Sequence, residues 1–127
     1  MQTLITSYPS ESEPGPPAQG KFLQLSLAGR DWLLFAATDE LRYHNQILAR
    51  FLAAQGILHR WQGKETLLFE SPELTVIGGG RFRFDAAAQA LHVWDESSVY
   101  GRFNATRLRK QLAAAQAPWG AVTLAVD

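Results

Sequence analysis

Residues 21–52, KFLQLSLAGRDWLLFAATDELRYHNQILARFL, change their hydrophobic period once, and that change decides the fold class. Leu23, Leu25 and Leu27 alternate with Gln24 and Ser26, the two-residue period of a strand with one buried face. Ala28-Gly29-Arg30-Asp31 suits a turn, and Trp32 to Ala36 reads as the returning strand. Leu41, His44, Ile47, Leu48, Phe51 and Leu52 then recur at three- and four-residue steps, which makes one face of a helix apolar. Gly56 stands where that helix would stop.

The rest of the chain extends this pattern. Glu65 to Phe69 and Leu74 to Ile77 are strand-like runs separated by Ser71-Pro72. Gly78, Gly79 and Gly80 follow, then Arg81 to Phe84 alternate, and Leu91 to Trp94 reads as another strand. Asn104 suits the cap of a second helix, with Leu108, Leu112 and Ala115 inward and Arg107, Arg109 and Lys110 outward on a solvated face. Trp119 to Val126 closes the chain as a strand. The expected fold is α+β: over residues 20–127, a single mixed, largely antiparallel sheet of about six strands packed with two helices. Residues 1–19 read as a flexible Pro/Ser-rich tail, because Pro9, Pro14, Pro16 and Pro17 interleave with serines and glutamates and leave little to bury. Such a tail is either a loose terminus or a docking segment.

Composition removes several classes of function. Lysine plus arginine equals aspartate plus glutamate at 12 each, so no global field draws the chain to nucleic acid or to a membrane surface. With no cysteine there is no disulfide, thiolate nucleophile or thiolate metal site, which fits a reducing compartment. No window reaches the roughly 18 apolar residues of a membrane span. Met1 to Ile5 lacks the basic flank and long apolar core of a signal peptide, so a cytoplasmic location is expected. His44, His59 and His92 lack metal-ligand spacing, and His92, set between Leu91 and Val93, reads as structural.

Three places could carry chemistry. Tyr43-His44 opens the first helix, where unpaired backbone N–H groups attract anions and disfavour an imidazolium, leaving a neutral base or nucleophile. The competing reading is a hydrogen-bonded core histidine. Gly78-Gly79-Gly80-Arg81 suits a close approach beside a phosphate-binding guanidinium, or else a bulge followed by a solvated arginine. It is not a P-loop, since no Gly-Lys-Ser/Thr follows. Asp95-Glu96-Ser97-Ser98-Val99-Tyr100-Gly101 is either an anion-binding nest or a plain polar loop.

Together these places resemble the small phosphohistidine phosphatase (Janus/Ocnus) family. The resemblance lies in Tyr43-His44 opening a helix, in Gly78-Gly79-Gly80-Arg81, and in Leu91-His92-Val93-Trp94 leading to Ser97-Ser98-Val99-Tyr100-Gly101. It spans most of residues 20 to 105. It implies a mixed sheet flanked by two helices and metal-independent hydrolysis of the P–N bond of phosphohistidine, in proteins or small phosphoramidates, by a monomer without a cofactor. By position, His44 would be the base or nucleophile. The Asn45 backbone amide, the Ser97 side chain and the Val99 backbone amide would hold phosphoryl oxygens, with Arg81 and Lys21 supplying positive charge. Two features depart from the family's pattern. Ala36 stands where the family tends to have an arginine, with Arg42 a candidate replacement. The stretch between His44 and the glycines is longer, with room for a hairpin around Gln62 to Ser71. The second reading is a non-catalytic module of the same fold that binds phosphate or phosphoproteins.

Overall fold

Alternation at residues 19–27 produces a strand whose two faces serve two different cores. In the computed structural model, which describes residues 2–127 except Glu11, Pro14 and Glu40, this strand is β2 (Gln19–Leu27). The first strand is β1 (Thr3–Tyr8), and β3 (Arg30–Ala36) returns antiparallel to β2. Helix α1 (His44–Ala54) leads to a hairpin of β4 (His59–Gln62) and β5 (Thr66–Phe69). Then come β6 (Leu74–Asp85), β7 (Ala90–Trp94), α2 (Ala105–Ala114) and β8 (Thr123–Val126). Six strands form one mixed sheet in the order β1-β3-β2-β6-β7-β8. Its four central strands are antiparallel, and β1 and β8 add parallel to β3 and β7 at the two edges. The fold is α+β, as expected.

Each helix covers one face. Leu23 and Leu25 join Leu34, Ile47, Leu48, Phe51 and Leu52 beneath α1. Phe22, on the opposite face of β2, packs with Leu33, Phe35, Phe82, Leu91, Val93, Phe103 and Leu108 beneath α2. Asn104 caps α2 by accepting from the Arg107 N–H at 3.0 Å. Among the described residues, no helix is long and apolar enough to cross a membrane.

Two expectations are corrected here. Residues 3–8 of the expected tail are not loose: Thr3 to Tyr8 pair with Asp31 to Ala36 in parallel register, and Tyr8 is buried beside α1. Further along, the Ala18 carbonyl accepts from Phe84 N–H at 2.7 Å, and the Pro17 carbonyl from the Trp119 indole at 3.1 Å. The proline-rich composition hid a strand whose stability comes from its partner rather than from local preference. Met1, Glu11 and Pro14, which that expectation also covered, lie outside the described residues. Arg107 is not a solvated outward charge either. Its Nε donates to the buried Asp31 carboxylate at 3.0 Å, and Gln111 donates to the same carboxylate at 2.7 Å. Gln111 then accepts from Gln24 at 2.8 Å, so this network fastens α2 to β2 and β3.

The glycines lie inside a single long strand, and the reason is contact. β7 pairs β6 only from Arg81 onward; beside Gly79 its place is taken by the returning segment at residues 101–103. Gly79 N–H donates to the Gly101 carbonyl at 3.0 Å, and Phe103 N–H donates to the Gly79 carbonyl at 3.2 Å. A methyl carbon on Gly78 would stand 2.2 Å from the Arg102 carbonyl oxygen, and one on Gly80 would stand 2.6 Å from that of Trp94. Just before the glycines, Gln24 pairs with Gly78 and Leu25 with Val76, so Ile77 is bulged out. The bulge reverses facing. Before it, Leu74 and Val76 point to α1; after it, Gly79 and Arg81 do. Gly78→Ala should therefore lower stability by about 1–3 kcal/mol through backbone displacement. Urea unfolding checks this, and wild-type stability in the variant would contradict the seating of residues 101–103 on β6.

Candidate functional site

The chain enters α1 through Tyr43, whose extended backbone makes it the N-cap and His44 the first helical residue. Gln46 folds back to accept the Tyr43 N–H at 3.1 Å. The N–H groups of His44 and Asn45, in the first helical turn, have no acceptor within the helix. They lie at the positive end of its dipole.

The His44 ring lies against the glycine strand. A methyl carbon on Gly79 would be 2.7 Å from His44 Cδ2 and 2.8 Å from Nε2. This explains the second glycine: the imidazole occupies the space a side chain would take. Nε2 is 3.1 Å from the Gly80 carbonyl oxygen. A carbonyl only accepts, so Nε2 carries the proton of the neutral ring and Nδ1 keeps the lone pair. Burial holds the His44 pKa below its ordinary 6.5; the Gly80 hydrogen bond opposes this, the Lys21 charge adds to it, and Phe22 and Asp95 oppose it.

Lys21 and Arg81 sit directly opposite each other on β2 and β6, facing the same side as His44. Like charges so placed repel. Burial and the Arg81 charge together lower the Lys21 pKa, and Asp95 acts against them. Asp95 Oδ2 takes Arg81 Nε at 3.1 Å. The Lys21 ammonium lies 5.5 Å from the centroid of the Tyr43 ring.

These residues line one cavity of about 300 Å³. His44, Lys21 and Arg81 form its polar floor, with Asn45, Asp95 and Val99 beside them. The β4–β5 hairpin contributes Trp61, Lys64 and Glu65 to the same lining. Asn45 joins this hairpin to the 95–101 loop. Its side chain donates to the Glu65 carbonyl at 2.7 Å, and its Oδ1 accepts from the Tyr100 hydroxyl of the 95–101 loop.

Five of the six expected site residues, Lys21, His44, Asn45, Arg81 and Val99, thus meet around one space. Ser97 does not line it. Its side chain is buried inside the 95–101 loop, where Oγ accepts from Val99 N–H at 3.3 Å and Tyr100 N–H at 3.1 Å. The loop closes on itself through paired Ser97–Gly101 backbone hydrogen bonds. The Val99 amide, expected to hold phosphoryl oxygens, thus turns inward with that of Tyr100 to Ser97, which shapes the loop. Arg42 lines a second cavity of about 320 Å³, which shares Lys21 and Arg81 with the first. Ala36, paired with Lys21, is fully buried in the α1 core.

The sequence reading did not single out Trp61 or Lys64. The available signal was a tryptophan in a polar run, Trp61-Gln62-Gly63-Lys64-Glu65, too short to bury it. Among the described residues, no three histidine or carboxylate side chains gather as a metal-ligand set. No protein-family model matches the chain, and neither does any curated protein. Fold and geometry define the class: an α+β protein with one mixed six-stranded sheet and a cavity lined by a buried histidine and by charges of both signs.

In an NMR titration the His44 ring should have its midpoint below pH 6.5, and Lys21→Met should raise it. A midpoint at or above 6.5 would contradict the buried, neutral ring. The same displacement has a consequence for stability. Between the native His44 pKa and 6.5 the unfolded chain binds the proton and the native one does not, so this contribution rises with pH across that window and is lost as pH falls.

Proposed function

We propose that the protein is a phosphohistidine phosphatase of the Janus/Ocnus type, hydrolysing the P–N bond of phosphohistidine with His44 as base or nucleophile. The observation that carries this reading is the His44 imidazole, its Nε2–H bound to the Gly80 carbonyl, in a cavity where Lys21 and Arg81 face it from β2 and β6. Phosphoryl oxygens accept from the free amides at the start of α1, and Lys21 and Arg81 offset their charge. Little covalent chemistry is then needed. Transfer of a phosphoryl group depends mainly on positioning and electrostatic stabilisation, and the protonated imidazole nitrogen of the substrate is a good leaving group.

His44 Nδ1 either takes a proton from the attacking water or attacks phosphorus itself. In the first case the water oxygen bonds to phosphorus, the P–N bond breaks, and its electron pair stays with the substrate nitrogen. In the second, the phosphoryl group passes to Nδ1 and water later removes it. Ser97 has no direct part in this account; it holds the loop that carries Val99.

One observation favours the second reading, a binding module without turnover. Ala36 places a buried methyl opposite Lys21, where the family tends to have a third cation. Phosphate release from a phosphohistidine peptide separates the two. Turnover should survive EDTA and fall about 10²–10⁴-fold in His44→Ala. A folded wild-type protein that releases no phosphate would leave the binding module.

A further inference from the structure

The β4–β5 hairpin stands outside the main sheet and gives the α1 core only Leu67, buried, and Phe69, partly so. It nevertheless supplies a wall of the His44 cavity, with Trp61 on it. Of the other three tryptophans, Trp94 is paired in β7 and two pack on rings: Trp32 lies 5.0 Å from Phe51, and Trp119 touches Phe35, Phe82 and Phe84. Trp61 is different. Among the described residues its indole contacts no aromatic ring and no cation, and it is 41% exposed. Nor does it hang on a loose arm. Leu67 anchors the hairpin below, and Asn45 holds the Glu65 carbonyl at 2.7 Å above. A held, half-exposed indole on the wall of a small cavity is a stacking platform. Tyr43, at the start of α1, lines the same cavity, is 64% exposed and has Lys21 near its ring.

We propose that Trp61 determines specificity at this site by stacking on a planar ring bonded directly to the phosphorus, so that ring-bearing substrates are preferred over ring-less phosphoramidates. This rests on reading the cavity as a phosphoryl site. The volume of about 300 Å³ is at the small end for ligand pockets, room for one phosphorylated ring with its attachment. Lys21 and Arg81 take the anionic end and the indole takes the ring. A compound such as phosphoramidate would use only the first of these contacts.

Calorimetry with phenylphosphonate and methylphosphonate tests this without requiring turnover. Wild type should bind phenylphosphonate roughly 5-fold or more tighter than methylphosphonate. Trp61→Ala should abolish that preference while keeping methylphosphonate affinity within about twofold, and Trp61→Phe should retain most of it. Both variants should keep the wild-type circular dichroism spectrum. An unchanged preference in Trp61→Ala, or none in wild type, would overturn the proposal. If neither phosphonate binds wild type, the phosphoryl-site reading falls and this inference with it. Ring preference without phosphate release would remove only the hydrolase reading.

Discussion

The backbone of β6 is touched closely at three successive residues, and the rest of the molecule depends on that contact. Arg102 lies against Gly78, the His44 ring against Gly79, and Trp94 with Phe103 against Gly80. Three separate parts of the chain, the start of α1, the end of β7 and the segment leading to α2, are therefore positioned from one strand. Packing of this kind tolerates no added volume, since interiors near close packing leave nowhere for a methyl group to go. The entropic penalty of three glycines in a strand is offset because each removes a side chain where another group must sit.

The bulge at Ile77 contributes as much as the glycines. Without it, Arg81 would lie on the Phe82 face and enter the aromatic core under α2. With it, Arg81 stands opposite Lys21 and beside His44. The repulsion between these two cations is offset by Asp95, which pairs with Arg81 and acts on Lys21. Around the neutral imidazole the cavity carries charges of both signs, Lys21, Lys64 and Arg81 with Glu65, Asp95 and Glu96.

Much of this could be read from residue order. The strand periods at 21–27 and 91–94, the apolar stripe of α1 and the Asn104 cap are local signals, and the structure follows them. His44, Arg81 and Lys21, each singled out in the sequence, also line one cavity. What escaped reading depended on distant partners. Thr3 to Tyr8 carry a weak strand pattern and become one because β3 offers an edge. Arg107 looks like any helix-surface arginine until Asp31, 76 residues earlier, is folded beneath it. Ser97 turns inward because its hydroxyl satisfies two amides of its own loop, a choice that composition does not reveal. Trp61 lines the cavity on a hairpin that Asn45, 16 residues earlier in the chain, ties to α1.

The first strand also has a meaning for how the chain keeps to itself. β3 carries Trp32, Leu33, Leu34 and Phe35 in a row, and β1 occupies the side of it that β2 leaves open. If β1 were detached, those four residues would form a bare, apolar sheet margin with unpaired amides and carbonyls. Another copy's Thr3 to Tyr8 would fit that margin as well as the chain's own, in the same parallel register. The six residues that look most dispensable in the sequence thus cover that margin and move the sheet's open edge to β1 itself, a shorter strand without such an apolar run.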